Sequence, residues 1–244
     1  SLEHSTDSHD DGELIYTTTK KALIGEDVVF FGGFAISTYL KYMPRSAKKS
    51  LRHIPDFDVL SEDAEHTATI VKERLRDRGI QDVKIVKKKS VGEVISTHYQ
   101  IIIGSDDTIA FIYEPMACHS YNKIYIEGSS IKIATIDTMM SLYLAFLYSS
   151  REYYDITRLI CMSKFLFEVQ EKNRLQQKGV LKRFSLNCYG HQETMEEMRA
   201  EKTHMFETLK SDRKSKEYEE WFMKFRPADS SNTAKTSAKT SAKT

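Results

Sequence analysis

Two short motifs near the beginning of the sequence carry residues that could act together on a phosphate. Gly32 and Gly33 follow an apolar run and precede a helical pattern, so their backbone N–H groups could approach a phosphate closely. Asp56 and Asp58 lie on the next predicted strand, where residues two apart share a face and paired carboxylates can hold Mg²⁺. Each motif alone is weakly specific, but in this order they favour metal-assisted nucleotidyl transfer.

The elements that must position these motifs predict an α+β fold, in which a mixed β-sheet with flanking helices is followed by a helical C-terminal subdomain. Apolar runs predict strands over residues 27–31, 56–60, 83–86, 94–103 and 108–113, with a turn starting at the lysines 87–89. Helical spacing predicts helices over 34–43, between Ser61 and Gly79, from Thr135 or Asp137 to 148, and over 153–173, 192–210 and 215–225. We therefore expect an α/β subdomain over 14–130 and a helical subdomain over 131–227.

Both ends of the chain are expected to lie outside the packed part. Residues 1–13 are polar and acidic and predict a disordered lead-in. Residues 228–244 contain a degenerate TSAK repeat without any apolar residue larger than alanine, which predicts a disordered tail.

The composition argues against two classes of protein. Lys plus Arg number 36 and Asp plus Glu number 35, so a nucleic-acid site must be a local patch and cannot depend on bulk charge. No apolar run reaches the roughly 18–20 residues of a membrane-spanning helix, so we expect no membrane partner. Cys118, Cys161 and Cys188 are far apart and form no CxxC pair, which predicts three buried, reduced thiols in an intracellular protein.

Longer stretches of the sequence resemble a known family. FFGGFAISTYLKYM followed by HIPDFDVLS resembles the signature of the nucleotidyltransferase superfamily. FIYEPMACHSYN, IATIDTMMSLYLAFLY and CMSKFLFEVQEKNRLQQKGVLKRFSLNCYG are similar to the catalytic subunit of the poly(A) polymerases of large cytoplasmic DNA viruses, of the African swine fever virus and mimivirus type. This similarity spans about residues 28–202. It implies a nucleotidyltransferase-like sheet and template-independent addition of AMP from ATP to RNA 3′ ends, with Mg²⁺ or Mn²⁺. It also implies a cytoplasmic location, in the host cytoplasm, a viral factory or the virion.

The resemblance also implies roles for individual residues. Gly32 and Gly33 would hold the triphosphate, while Asp56 and Asp58 would be the catalytic carboxylates that bind both metal ions. Ser37 lies one turn into the following helix, where it could sit near the phosphates or be an ordinary helix-surface serine.

One position departs from the family pattern, which requires a third carboxylate on a later strand. The expected position falls on Ala110, which cannot bind metal. Glu114 shares the face of Ala110 by alternation and is our candidate third ligand, although it lies about 13 Å further along at roughly 3.3 Å per residue. Asp107 has the opposite parity unless the strand starts with a bulge. The departure puts catalysis by this chain alone in doubt.

Two basic stretches are candidates for contact with RNA. Lys48, Lys49 and Arg52 precede Asp56 and could contact the triphosphate or RNA phosphates, or form an ordinary solvated loop. Lys182 and Arg183 combine with nearby aromatic residues into a surface for single-stranded RNA, although ordinary amphipathic packing is favoured there.

Two main functions remain open, together with a weaker third. The first is part or whole of a viral poly(A) polymerase catalytic subunit acting on an RNA 3′ end, with a viral processivity factor as a further partner. The second is a catalytically degenerate nucleotidyltransferase-like subdomain that serves RNA binding or dimerisation, with a second copy or the missing half of the same polypeptide as partner. Ala110 favours the second function and the pair Asp56–Asp58 favours the first. The third, a nucleotidyltransferase for small substrates, fits the KRFS and HSYN stretches poorly.

Overall fold

The computed structural model describes residues 4–43 and 56–222. The strands in this part of the chain are β1 (Val29–Phe30), β2 (Phe57–Leu60), β3 (Val83–Lys88), β4 (His98–Ile103), β5 (Asp107–Tyr113), β6 (His119–Ile126), β7 (Ser129–Ala134) and β8 (Cys188–Tyr189). The helices are α1 (His4–Gly25), α2 (Gly33–Tyr39), α3 (Ala64–Asp77), α4 (Ile136–Ser149), α5 (Ile156–Asn173), α6 (Met195–Leu209) and α7 (Lys216–Trp221).

The eight described strands form one mixed sheet in the order β3-β4-β5-β2-β1-β7-β6-β8. The pairs β1–β7 and β2–β5 are parallel, and the other neighbouring strands are antiparallel. The central strand β1 lies within the apolar run 28–31, which is buried on both faces. Because β1 and β2 are antiparallel, the end of β1 lies beside the beginning of β2, which brings the glycine pair next to the aspartates.

Local sequence signals explain where the main helices begin. The side chain of Thr135 accepts a hydrogen bond from the backbone N–H of Thr138 at the start of α4, and Asp155 does the same for Arg158 at the start of α5. The helix α3 starts at the cap Asp63 rather than at Ser61, and its buried face includes Ala64, Ala68, Val71 and Leu75, as the spacing predicts. None of the described helices is both long and apolar enough to cross a membrane.

The predicted disordered lead-in is wrong for residues 4–13, which belong to α1. The later turns of this helix pack on the sheet: Leu23 is buried, and the ring of Tyr16 stacks on Phe57 with ring centroids 4.9 Å apart. Since this packed half forms a helix, its polar first turns can continue the same backbone hydrogen bonding. The predicted tail from residue 228 lies outside the described residues.

The predicted turn at the three lysines is also wrong at its first two positions. The strand β3 continues to Lys88, because Lys87 and Lys88 pair with Tyr99 and His98 of β4. The ammonium group of Lys88 lies 4.9 Å from the ring centre of Tyr153, so the lysine stem packs along the sheet while its charge meets an aromatic face.

The sheet extends beyond the predicted subdomain boundary. The strands β6 and β7 were not predicted, and residue 130 lies inside β7, which is the parallel neighbour of central β1. The change from sheet to helix therefore comes at Thr135. Later in the chain, β8 returns to the edge of the sheet beside β6.

The expectation of three buried, reduced thiols is wrong. Cys118 and Cys188 form a disulfide with their Cα atoms 5.3 Å apart, which joins the segment before β6 to β8. Both cysteines are exposed, and Cys161 on α5 is exposed and free.

Candidate functional site

The strand β2 presents its two aspartates to one pocket. Asp56 directly precedes β2 and Asp58 lies within it, so their side chains share a face while Phe57 and Val59 are buried on the other. The prediction that both carboxylates lie on one face of one strand is confirmed. Residues from β5, α4, α5 and the turn before α5 complete the pocket: Phe111, Tyr143, Phe146, Tyr153, Tyr154, Asp155, Arg158, Leu159 and Met162.

Gly32 is in direct contact with Asp58. A Cβ atom built on Gly32 would lie 2.0 Å from Oδ2 of Asp58, a distance that no side chain tolerates. The backbone N–H of Gly32 donates to the carbonyl of Asp58 at 3.3 Å, and so does the N–H of Phe31 at 2.9 Å. The glycine is therefore required by the close approach of the aspartate, and its N–H is already engaged. Its predicted role with a triphosphate stays a prediction.

The other two residues predicted to bind nucleotide lie on α2. Gly33 is the first residue of this helix, which has 7 residues. Ser37 is exposed, and its hydroxyl donates to the carbonyl of Phe34 at 2.6 Å. This is the arrangement of an ordinary helix-surface serine, which was one of the two alternatives for this residue.

An arginine from α5 enters the pocket of the aspartates. Nη1 of Arg158 lies 3.5 Å from Oδ2 of Asp56, and both side chains are about one-third exposed. Burial, and secondarily the negative charge of Asp56, raise the pKa of Asp58 to about 7, against the opposing effect of the Arg158 charge. Asp58 therefore keeps its proton well into the pH range where an ordinary aspartate is ionised, which makes it a poorer metal ligand.

Tyrosine hydroxyls close the other side of the pocket. Tyr143 donates to the carbonyl of Phe31, and the hydroxyls of Tyr113 and Tyr154 lie 2.9 Å apart. Burial raises the pKa of Tyr143 and Tyr154, and the nearby Asp58 carboxylate adds to both shifts. These groups stay protonated and act as hydrogen-bond donors.

The register between β2 and β5 decides the position of a third carboxylate. Asp58 pairs with Phe111, while Ala110 pairs with Phe57 and is fully buried on the opposite face. The prediction that Ala110 occupies the third position is wrong, because the two strands are offset by one residue from the assumed alignment. The residue beside Asp58 is Phe111, whose ring lines the pocket.

The two alternative carboxylates do not face the pocket. Glu114 follows Tyr113 on the opposite parity and lies near Lys87, whose pKa is raised mainly by its hydrogen bond to Tyr99 and in smaller part by the charges of Glu65 and Glu114. Asp107 lies at the far end of β5, paired with Ile103. A bulge does interrupt β5 opposite Ile101 and Ile102, but it turns Thr108 rather than Asp107 toward the face of Gln100 and Phe111. Glu114 is therefore not placed as a third ligand.

The residues present do not fit a site for two divalent cations. No group of three or more His, Cys, Asp or Glu side chains suited to a metal ion occurs in the described part of the chain. Asp155 lines the pocket, but its carboxylate accepts the N–H of Arg158 at 3.0 Å. The sequence of residues 44–55 contains no Asp or Glu. Two metal ions need more anionic ligands than Asp56 and Asp58 provide.

The predicted RNA-binding residues divide into two groups. Lys48, Lys49 and Arg52 lie outside the described residues. Lys182 and Arg183 are exposed, and the guanidinium of Arg183 lies 3.1 Å from Asp137 and 5.7 Å from the ring centre of Phe184. The side-chain amide of Asn122 donates to the carbonyl of Lys182 at 2.8 Å, which ties this segment to β6.

Sequence reasoning missed three groups of this site, namely Arg158, Tyr143 and Phe111. For Arg158 a signal existed, because a cation in the first turn of a helix opposes the helix dipole and calls for a nearby anion. Tyr143 has the same spacing as a core residue of α4, and Phe111 has the pattern of a buried strand, so neither carried a signal of its own.

Comparison with known proteins supports the fold and stops there. No family model matches the sequence, and no curated protein is significantly similar. Among solved structures, the crystal structure of the Megavirus polyadenylate synthase matches 95% of this chain with a TM-score of 0.60 and 15% sequence identity. The match covers 49% of that chain, so this chain spans about half its length.

The fold is therefore nucleotidyltransferase-like: a mixed α+β sheet with flanking helices and a helical C-terminal part, as the resemblance in the sequence implies. At the level of the fold, the chain is related to a viral poly(A) polymerase.

Proposed function

We propose that this chain is the nucleotidyltransferase-like half of a viral poly(A) polymerase, and that this half binds RNA without transferring nucleotides itself. The resemblance in the sequence and the fold of the Megavirus polyadenylate synthase both support a place in polyadenylation. The catalytic work would then belong to another nucleotidyltransferase-like unit, either the missing half of the polypeptide or a second copy.

The observation that carries this proposal is the side chain beside Asp58. Transfer of AMP requires one metal ion to activate the attacking hydroxyl and another to steady the triphosphate. The position that would supply the third carboxylate holds Phe111, and the remaining pair is approached by Arg158. An apolar ring and a guanidinium both weaken the hold on divalent cations.

A cationic surface supports the proposed binding of RNA. Residues 172–192 carry five Lys or Arg side chains and no Asp or Glu, although the whole chain is nearly neutral. The ring of Phe184 in this segment is 78% exposed, and Leu175 and Leu186 are 90% and 98% exposed. Cations beside exposed rings are the combination that binds single strands by phosphate contact and base stacking.

A primer-extension assay tests the absence of transfer. A labelled RNA is incubated with ATP and either Mn²⁺ or Mg²⁺, with the wild-type protein and with the double variant Asp56→Asn, Asp58→Asn. We expect no extension by either protein. Robust extension by the wild type that the double variant abolishes would contradict the proposal.

Fluorescence anisotropy with a labelled single-stranded RNA tests the binding. The double variant Lys178→Gln, Lys182→Gln removes two exposed cations of the segment. If both contact phosphates, the slope of log K against log salt should fall by about 1.4. The matched control is Lys84→Gln, Lys164→Gln, which removes two exposed cations elsewhere. Equal effects of the two double variants would reduce the binding to bulk charge.

A second candidate function is the active enzyme, with Mg²⁺ or Mn²⁺ and ATP. It is favoured by the presence of two aspartates on one face beside Gly32, since like charges that close are otherwise unfavourable. Under this candidate, a viral processivity factor or a second polypeptide half would complete the site. Extension that appears only when such a partner is added would favour it.

A further inference from the structure

We infer that Asp56 and Asp58 form a binding site for the guanidinium of Arg158, which takes the place that a divalent cation would hold between the two carboxylates. The inference deepens the proposed function, on which it rests, by stating what neutralises the aspartate pair when no metal ion does. It also names a positioning role for Arg158, which links α5 to β2.

The first support is the geometry of the pocket. Arg158 and both aspartates line the same space, and the guanidinium reaches Asp56 at 3.5 Å. The planar fork of an arginine can contact more than one carboxylate oxygen at a time, whereas a lysine acts as a point charge. The three side chains together carry a net formal charge of −1, against −2 for the aspartates alone.

The second support is the place of Arg158 on its helix. It lies in the first turn of α5, which has 18 residues, and its backbone N–H donates to the cap Asp155 at 3.0 Å. A positive charge in the first turn is opposed by the helix dipole. The helix therefore does not favour this side chain where it stands, and the carboxylates of β2 supply the compensating negative charge.

The third support is the wall around the carboxylates. Phe111, Phe146, Leu159 and Met162 make most of the pocket apolar, which strengthens both the repulsion between like charges and the attraction between opposite ones. Removing the arginine would leave two like carboxylates without a counter-charge in these surroundings, and this raises the affinity of the pocket for any other cation.

The test measures cation binding directly, without any enzymatic readout. Tb³⁺ replaces Mg²⁺ or Ca²⁺ at carboxylate sites, and its luminescence is excited through nearby tyrosines such as Tyr143 and Tyr154. We expect weak luminescence with the wild type and at least tenfold tighter binding with Arg158→Gln, a difference of about 1.4 kcal/mol. The triple variant Asp56→Asn, Asp58→Asn, Arg158→Gln should return to the weak binding of the wild type.

A matched control and a second measurement guard against trivial outcomes. Lys164→Gln removes an exposed cation, 76% accessible, from the same helix at a distance from the pocket lining, and it should leave Tb³⁺ binding unchanged. If Arg158→Gln does not fold, the melting temperature of the wild type with and without millimolar Mn²⁺ decides the matter, and we expect no rise. Wild-type binding as tight as that of Arg158→Gln, or a clear rise of the wild-type melting temperature with Mn²⁺, would overturn the inference.

The outcome can be separated from that of the proposed function. Cation binding by the wild type without RNA extension would refute the role of Arg158 and leave the proposed function standing. Extension of RNA by the wild type would refute the proposed function, whatever the cation measurements show.

Discussion

Replacing Gly32 with alanine tests the contact that joins the glycine pair to the aspartate pair. The new Cβ atom would lie 2.0 Å from Oδ2, 2.6 Å from Cβ and 2.7 Å from Cγ of Asp58. The φ of Gly32 is −90°, which alanine adopts, so the cost comes from the collision and not from the backbone. Because Phe31 and Gly32 both donate to the carbonyl of Asp58, neither strand can move apart without losing those hydrogen bonds.

The expected cost is that of overpacking a well-packed site, about 1–3 kcal/mol. For a domain of this size, each kcal/mol lowers the melting temperature by about 2–4 °C, so we expect a fall of roughly 2–12 °C. Differential scanning fluorimetry or calorimetry measures it. Gly25→Ala is the matched control, since no atom lies within 4 Å of its Cβ position and its φ is not positive.

A double-mutant cycle identifies the partner in the collision. Asp58→Gly removes all three atoms that a Cβ on Gly32 would meet. In that background Gly32→Ala should cost much less than in the wild type, with a coupling of about 1 kcal/mol or more. If Gly32→Ala melts with the wild type, or if its cost is the same in both backgrounds, the contact does not exist as described.

Three further predictions concern the carboxylates and the cysteines. Because the pKa of Asp58 is about 7 when folded and lower when unfolded, the folded state binds the extra proton, so the wild type should lose stability relative to Asp58→Asn as pH rises from about 4 to 7; melting curves across this range check the sign, and a gain of stability would refute it. Ala110→Asp should destabilise the protein by about 3 kcal/mol or more in urea titrations, because it buries a carboxylate on the apolar face, whereas Phe111→Asp should raise affinity for Tb³⁺ because it points into the pocket. Thiol titration of the denatured, unreduced protein should detect one thiol, Cys161, and three after reduction; three before reduction would exclude the disulfide.

Much of the local structure follows from the sequence, because it depends on near neighbours along the chain. The alternation of polar and apolar residues in β2 places Asp56 and Asp58 on one face whatever the rest of the sheet does. The apolar spacing of α3 and α4 and the cap at Thr135 define those helices to within a residue or two. The strands β6 and β7 alternate as well, but their polar positions disguised them.

The function of the pocket depends on contacts between distant parts of the chain, which only the tertiary structure decides. A shift of one residue in the pairing of β2 with β5 exchanges the two faces of β5, and no local pattern specifies that pairing; for this reason Phe111, and not Ala110, stands beside Asp58. Arg158 reaches Asp56 only because α5 folds back over the sheet, about 100 residues further along the chain. The sequence by itself therefore determined that two carboxylates share a face, and the packing of β5 and α5 around them decided that a ring and a guanidinium are their neighbours.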